Sequence, residues 1–145
     1  MERVVDVLGT KVRLVGDDGD SCIENLPPVI HEPALDYAQL ALDEQAVVVD
    51  AGANLGVLTL GFAFVAAHGR VVAIEASPST YRNLVFNVTN ANLANVETIN
   101  LAVDEVSGSL ELFDNSWFSA GSFVKKDGLG AALHEGSVTV PAEPI

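Results

Sequence analysis

The sequence predicts an α/β fold: a parallel sheet in the spatial order 3-2-1, with an N-terminal β-hairpin before it and a C-terminal antiparallel β extension after it. Three observations carry this. Two continuously apolar runs, V-V-V at 47–49 and V-V-A-I at 71–74, each end in one carboxylate, Asp50 and Glu75. A turn of small residues, A-G-A-N-L-G at 51–56, and an apolar helical stretch lie between them. A second helical stretch follows Glu75 and leads into a third apolar run at 96–103.

The elements follow in order along the chain. Residues 3–8 and 11–15 alternate loosely around Gly9-Thr10, which reads as a β-hairpin or two short edge strands. Gly16-Asp17-Asp18-Gly19-Asp20 reads as a turn or loop, and Pro27-Pro28 keeps the chain out of helix until about Pro33. From 33 to 42, Leu35, Ala38 and Leu42 recur at helical spacing, with Pro33 suited to the first turn.

The run at 46–49 is too uniformly apolar for a half-exposed strand, so it is expected as a central parallel strand covered on both faces. A helix is expected from about Leu55 to Ala67, with Gly69 as a left-handed stop. Residues 71–74 give the next buried strand. Ser77-Pro78 supplies an N-cap with proline at the first helical position. Tyr81, Leu84, Val85 and Val88 share one face of that helix, which frays near Asn90-Ala91-Asn92. Residues 96–103 form the third strand, completing a Rossmann-like β-α-β-α-β unit. Beyond Asp104, runs at 110–113, 119–124 and 137–140 suggest the antiparallel extension, with 125–136 loop-like. The expected division is a β extension at 1–32, a nucleotide-type core at 33–104 and a second β extension at 105–145.

Composition narrows the function. A chain of 145 residues, 49% apolar, is one domain with an ordinary core. Its formal charge is 7 − 20 = −13. That balance argues against nucleic acid or anionic lipid as a partner, since phosphates are neutralised by Lys and Arg. The lone Cys22 fits a reducing, cytoplasmic setting. The opening M-E-R-V-V-D-V lacks the pattern of a signal peptide, and the apolar run at 57–67 suits a buried helix rather than a membrane span. His31, His68 and His134 show no metal-ligand spacing, so no metal site is expected.

The glycine turn distinguishes ligands. A dinucleotide site wants G-x-G-x-x-G, because a pyrophosphate approaches the helix N-terminus closely. Laid from Gly52, that template fails at Asn54 and Val57. The template acid-x-Gly-x-Gly-x-Gly, laid from Asp50, meets Gly52, Asn54 and Gly56, and asparagine tolerates a glycine-like backbone. It belongs to sites for S-adenosylmethionine (AdoMet), whose ammonium and sulfonium favour a carboxylate such as Asp50. The ribose offers two hydroxyls that Glu75 can accept. Each acid alone could equally be a strand-end carboxylate capping a helix. His134-Glu135 reads as surface loop, His68 as a favourable helix-end charge, and Trp117-Phe118 as core packing in preference to a substrate platform.

Three segments carry a resemblance: V-V-V-D-A-G-A-N-L-G-V-L-T-L, G-R-V-V-A-I-E-A-S-P-S-T-Y-R-N-L-V-F-N-V and N-V-E-T-I-N-L-A-V-D-E-V-S-G-S-L-E-L. From about Val47 to Leu112 the chain resembles the FkbM family of class I AdoMet-dependent methyltransferases, and His31-Glu32-Pro33 resembles the segment upstream. The resemblance implies a class I methyltransferase sheet and methyl transfer, often to an oxygen of a small molecule or sugar. It implies that Asp50, Ala51, Gly52, Ala53, Asn54 and Gly56 wrap the methionine part of AdoMet. Glu75 would hold the ribose, Ala76 and Ser77 would border the adenine, and Asn100, Leu101 and Ala102 would carry the adenine edge. His31 and Glu32 would reach the cofactor mouth or form an exposed turn.

Family members continue past a V-P-V-like segment into further strands, whereas this chain ends at Ile145, so a partial (truncated) domain is expected. Strand 46–50 would then keep one unpaired edge, to be covered by the hairpin, by a second copy as a homodimer, or by more chain. No catalytic base is evident. The alternative reading is a non-catalytic binding or assembly module derived from a methyltransferase.

Overall fold

The predicted alternation of strands and helices is present in a computed structural model that describes residues 1–113, 115, 117–124 and 137–145. The hairpin β1 (Glu2–Val7) and β2 (Thr10–Val15) turns on Leu8 and Gly9, both at positive φ (52° and 84°). That conformation matches the twist of tight hairpins. A short helix α1 (Ser21–Glu24) follows, which the sequence pattern did not suggest. Asp20 caps it by accepting the Cys22 N–H at 3.0 Å.

α2 (Pro33–Ala41) leads into the parallel sheet β3 (Val47–Ala51), β4 (Arg70–Glu75) and β5 (Val96–Asn100), in the order β3-β4-β5. α3 (Val57–Val65) and α4 (Pro78–Asn90) provide the crossovers. α4 starts as predicted: the Ser77 hydroxyl oxygen accepts the Thr80 N–H at 3.2 Å, and Pro78 opens the first turn. Its core face is carried by Leu84 and Val88, both buried.

One apolar core joins the hairpin to these helices. Val5, Val7, Val12 and Leu14 from the hairpin pack into the cluster that holds Leu35, Leu60, Leu84 and Val88. Asn87, fully buried in α4, fastens the hairpin there. Its Nδ2 donates to the carbonyls of Val15 (3.0 Å) and Leu55 (2.8 Å), and its Oδ1 accepts the Val15 N–H at 2.7 Å.

Four expectations change. First, the hairpin, one of three alternatives for covering the β3 edge, packs on the helices instead, and among the described residues no strand pairs with that edge. β3 is also not covered on both faces, since Val47 is 72% and Val49 52% exposed. An unbroken apolar run therefore marked a strand with one bare face, a pattern that sequence alone cannot distinguish from a fully buried one. Second, Gly69 has no positive φ among the residues that do. It is required by crowding, because a Cβ there would lie 2.0 Å from the Ala46 carbonyl oxygen. Third, the run at 96–103 is not one strand. The chain leaves the parallel sheet at Leu101, and β6 (Ala102–Val103) joins a second sheet with β7 (Gly108–Phe113), β8 (Phe123–Val124) and β9 (Ser137–Glu143). That sheet has the order β6-β9-β7-β8, antiparallel except for the parallel β6–β9 pair. Fourth, residues 119–124 are not a single strand: Ser119–Gly121 is a turn of 3-10 helix. His134 and Glu135 lie outside the described residues.

Candidate functional site

β3 and β4 lie in parallel register, with Asp50 opposite Ala73, so both strands deliver their carboxylates to the same sheet end. Such C-terminal strand edges are where open α/β sheets hold ligands. The loop 51–56 closes over that edge. The N–H groups of Gly52 and Ala53 both donate to the Ile74 carbonyl at 2.9 Å. Gly52, Asn54 and Gly56 take positive φ values of 83°, 51° and 88°, as the acid-x-Gly-x-Gly-x-Gly reading requires. Gly56 also lacks room: an added Cβ would sit 2.8 Å from Leu84 Cδ1. Gly52 is the opposite case, with nothing within 4 Å of the Cβ position.

Glu75 is the organising carboxylate. Its Oε2 accepts the Asn54 N–H at 2.9 Å and its Oε1 accepts the Ser77 N–H at 2.8 Å. It thus holds the glycine loop and the entry to α4 in fixed relation while lining a cavity. The bracing role and a place in the cavity wall therefore coincide in one side chain. Asp50 is 8% exposed and accepts the Thr59 hydroxyl at 2.5 Å. Burial pushes its carboxyl above the ordinary 3.8, and the Thr59 hydrogen bond opposes that shift.

Two cavities flank the loop. One, of about 400 Å³, opens at the ends of β3 and β4 and is lined by Ala51, Gly52, Asn54, Glu75, Ala76 and Leu101, among others. The other, of about 480 Å³, includes Asp50, Ala53, His31 and Glu32, with apolar walls such as Leu26, Ile30 and Leu58. Each falls in the range of small-molecule sites, roughly 300–1,000 Å³. They share Gly52, Asn54 and Ala120, so the glycine loop forms the saddle between them.

Most of the sequence-predicted residues converge here, with differences of role. Ala102 lines the first cavity beside Leu101. Ser77 is fully buried as the α4 cap. Asn100 braces the strand ends, its Nδ2 donating to the carbonyls of Glu75 (2.8 Å) and Ala76 (3.1 Å). Gly56 is the N-cap of α3 beneath the loop. His68 is exposed, with Nε2 3.9 Å from Glu44 Oε2.

Sequence reasoning missed Ser119, Ala120 and Ser122, which wall the first cavity. The Ser119 hydroxyl donates to Asn54 Oδ1 at 3.0 Å across 65 residues of chain, a contact with no local signal. Among the described residues no group of three or more His, Cys, Asp or Glu could hold a metal ion, and no helix is long and apolar enough to cross a membrane.

The loop amides are all engaged within the protein. Besides Gly52, Ala53 and Asn54, the Leu55 N–H donates to Asn54 Oδ1 (2.6 Å) and the Gly56 N–H to the Ala53 carbonyl (2.9 Å). A pyrophosphate, which needs such amides, therefore finds none free in this loop.

No protein-family model matches the chain. No curated protein matches it either. Several solved structures are similar. P. horikoshii TYW2 in complex with MeSAdo is 24% identical over 70% of this chain and 36% of its own, with a TM-score of 0.49. M. jannaschii TYW2 in complex with AdoMet is 22% identical over 74% and 52%, with a TM-score of 0.47. An rRNA methylase from Streptococcus thermophilus is 20% identical over 51% and 50%, with a TM-score of 0.44. The chain thus spans between about a third and a half of the length of these structures.

Proposed function

We propose that this chain binds AdoMet across the two cavities and serves methyl transfer to a small molecule, as an FkbM-like methyltransferase domain. One observation carries the reading. Two carboxylates at adjacent strand ends face cavities that meet at Gly52, and the space above Gly52 is open. The residues fit the ligand. Glu75 accepts ribose hydroxyls in the first cavity, with Ala76 and Leu101 beside the adenine. Asp50 and Glu32 supply negative charge for the ammonium and sulfonium in the second. The occupied amides of Gly52 to Gly56 suit a ligand without phosphate, in keeping with the failed dinucleotide template at Asn54 and Val57.

Bound AdoMet supplies an electrophilic methyl group whose transfer is an in-line displacement, leaving a neutral thioether. The protein contributes positioning and exclusion of water. For a hydroxyl acceptor the new C–O bond forms as the C–S bond breaks, and the hydroxyl proton passes to a base or water. A cytoplasmic setting agrees with the single cysteine.

Calorimetry with S-adenosylhomocysteine (AdoHcy) and NAD tests the reading. Micromolar affinity for AdoHcy, weakened by Asp50→Ala and Glu75→Ala, is expected. Absence of AdoHcy binding would leave the non-catalytic module, and preference for NAD would overturn the reading. A homodimer across β3 belongs to the same proposal, supported by the bare Val47 and Val49. Light scattering that finds a monomer at micromolar concentration would remove the dimer alone.

A further inference from the structure

The sequence suggested that Trp117 and Phe118 pack into the core, and the structure places them outside it. Trp117 is 62% and Phe118 40% exposed, with ring centroids 6.1 Å apart and planes tilted by 31°. Exposed neighbouring aromatic rings in an acidic chain are an uneconomical surface unless they meet something.

Their position is fixed by the segment that carries them. The Ser21 N–H donates to the Trp117 carbonyl at 2.8 Å. The Ser119 N–H donates to Oδ1 of Asp20, a side chain only 2% exposed, at 3.1 Å. The Ser119 hydroxyl reaches Asn54 in the glycine loop. Ser119 lines the first cavity and Ala120 lines both. The two rings therefore sit on the segment that leads directly into the cavity walls, held from the α1 side and from the glycine loop. Phe118 is further braced by Gly121, where a Cβ would lie 2.7 Å from Phe118 Cδ1.

Charge limits what can approach. Among the described residues the linings contain Asp50, Glu75, Glu32 and His31 and neither Lys nor Arg, and the whole chain carries −13. Phosphorylated ligands would meet the repulsion of these carboxylates.

We propose that Trp117 and Phe118 form the acceptor platform: they take the flat face of an uncharged ring and present it to the mouth of the cofactor cavities. This rests on the methyl-transfer reading for the identity of the cavities, and it assigns to that reading an acceptor subsite and an acceptor class. Ring stacking supplies affinity, and the acidic surround rejects phosphate-bearing analogues.

The test uses the full chain saturated with AdoHcy and a matched pair of probes, 4-nitrobenzyl alcohol and 4-nitrophenyl phosphate. Trp117 is the only tryptophan, so its emission reports directly on the platform. Saturable quenching by the alcohol, at least about tenfold tighter than by the phosphate, is expected. By calorimetry, Trp117→Ala and Phe118→Leu weaken the alcohol by about fivefold, consistent with the ~0.5–1.5 kcal/mol of an aromatic contact, and leave AdoHcy within about twofold. Equal affinity for the two probes, or alcohol affinity unchanged in Trp117→Ala, overturns the proposal. So does loss of AdoHcy binding in that variant, which would place Trp117 in the cofactor site. If the wild-type chain binds the alcohol at Trp117 but not AdoHcy, the cofactor reading fails and the platform stands.

Discussion

Replacing Gly52 with alanine separates folding from ligand binding, because the two costs arise from different features of one residue. At φ 83° an L-residue is strained by about 1–2 kcal/mol. The Cβ itself meets nothing within 4 Å, so no packing cost is added. The variant should fold, with Tm lowered by roughly 3–8 °C for a domain of this size. The methyl group enters the space common to both cavities. AdoHcy affinity should therefore fall at least about tenfold, or ~1.4 kcal/mol. Gly56→Ala is the control. It shares the strain at φ 88° and adds a clash at 2.8 Å with Leu84, which is fully buried and has little room to retreat. Overpacking adds about 1–3 kcal/mol, so Gly56→Ala should be the less stable protein. Its Cβ points into the core, so AdoHcy affinity should stay within about twofold where the variant is folded. Thermal melts and calorimetry on both proteins decide the matter. A folded Gly52→Ala chain that binds AdoHcy as well as the wild type would refute the passage of a ligand over Gly52.

Two further outcomes follow from single side chains. Asp50 has a carboxyl raised by burial above 3.8. Its unfolded form ionises first, so its contribution to stability is fully present below the unfolded value and is lost as pH rises through the folded one. Asp50→Asn should therefore melt higher at neutral pH than the wild type. A cationic ligand favours the ionised form, so AdoMet affinity should rise with pH through the same window in the wild type and lose that pH dependence in Asp50→Asn; a flat wild-type profile would count against the pairing. Asn87→Ala leaves the Val15 N–H and carbonyl and the Leu55 carbonyl without their buried partner. Urea denaturation should show a loss of about 3 kcal/mol, from ~1–3 kcal/mol for each unsatisfied group with partial relaxation. An unchanged midpoint would mean that Asn87 does not hold the hairpin.

What the sequence determined is local. The apolar run, the acid and the small residues at 47–56 state a strand, a turn and a helix through neighbouring residues, because backbone sterics and side-chain periodicity act over a few positions. Ser77-Pro78 announced α4 for the same reason, and Asp50, Gly52 and Glu75 were legible as a group through their spacing. What the tertiary structure decided is which distant segments meet. Nothing near Asn54 in sequence points to Ser119, and nothing in W-F-S-A distinguishes a buried pair of rings from an exposed one. The bare face of β3 was equally silent, since an apolar run has the same composition whether or not another layer covers it. Local conformation follows from forces between adjacent residues. The closing of long loops and the choice of packing partner depend on the whole chain, and so the wall that Ser119 and Ala120 add to the cavities became visible only in three dimensions.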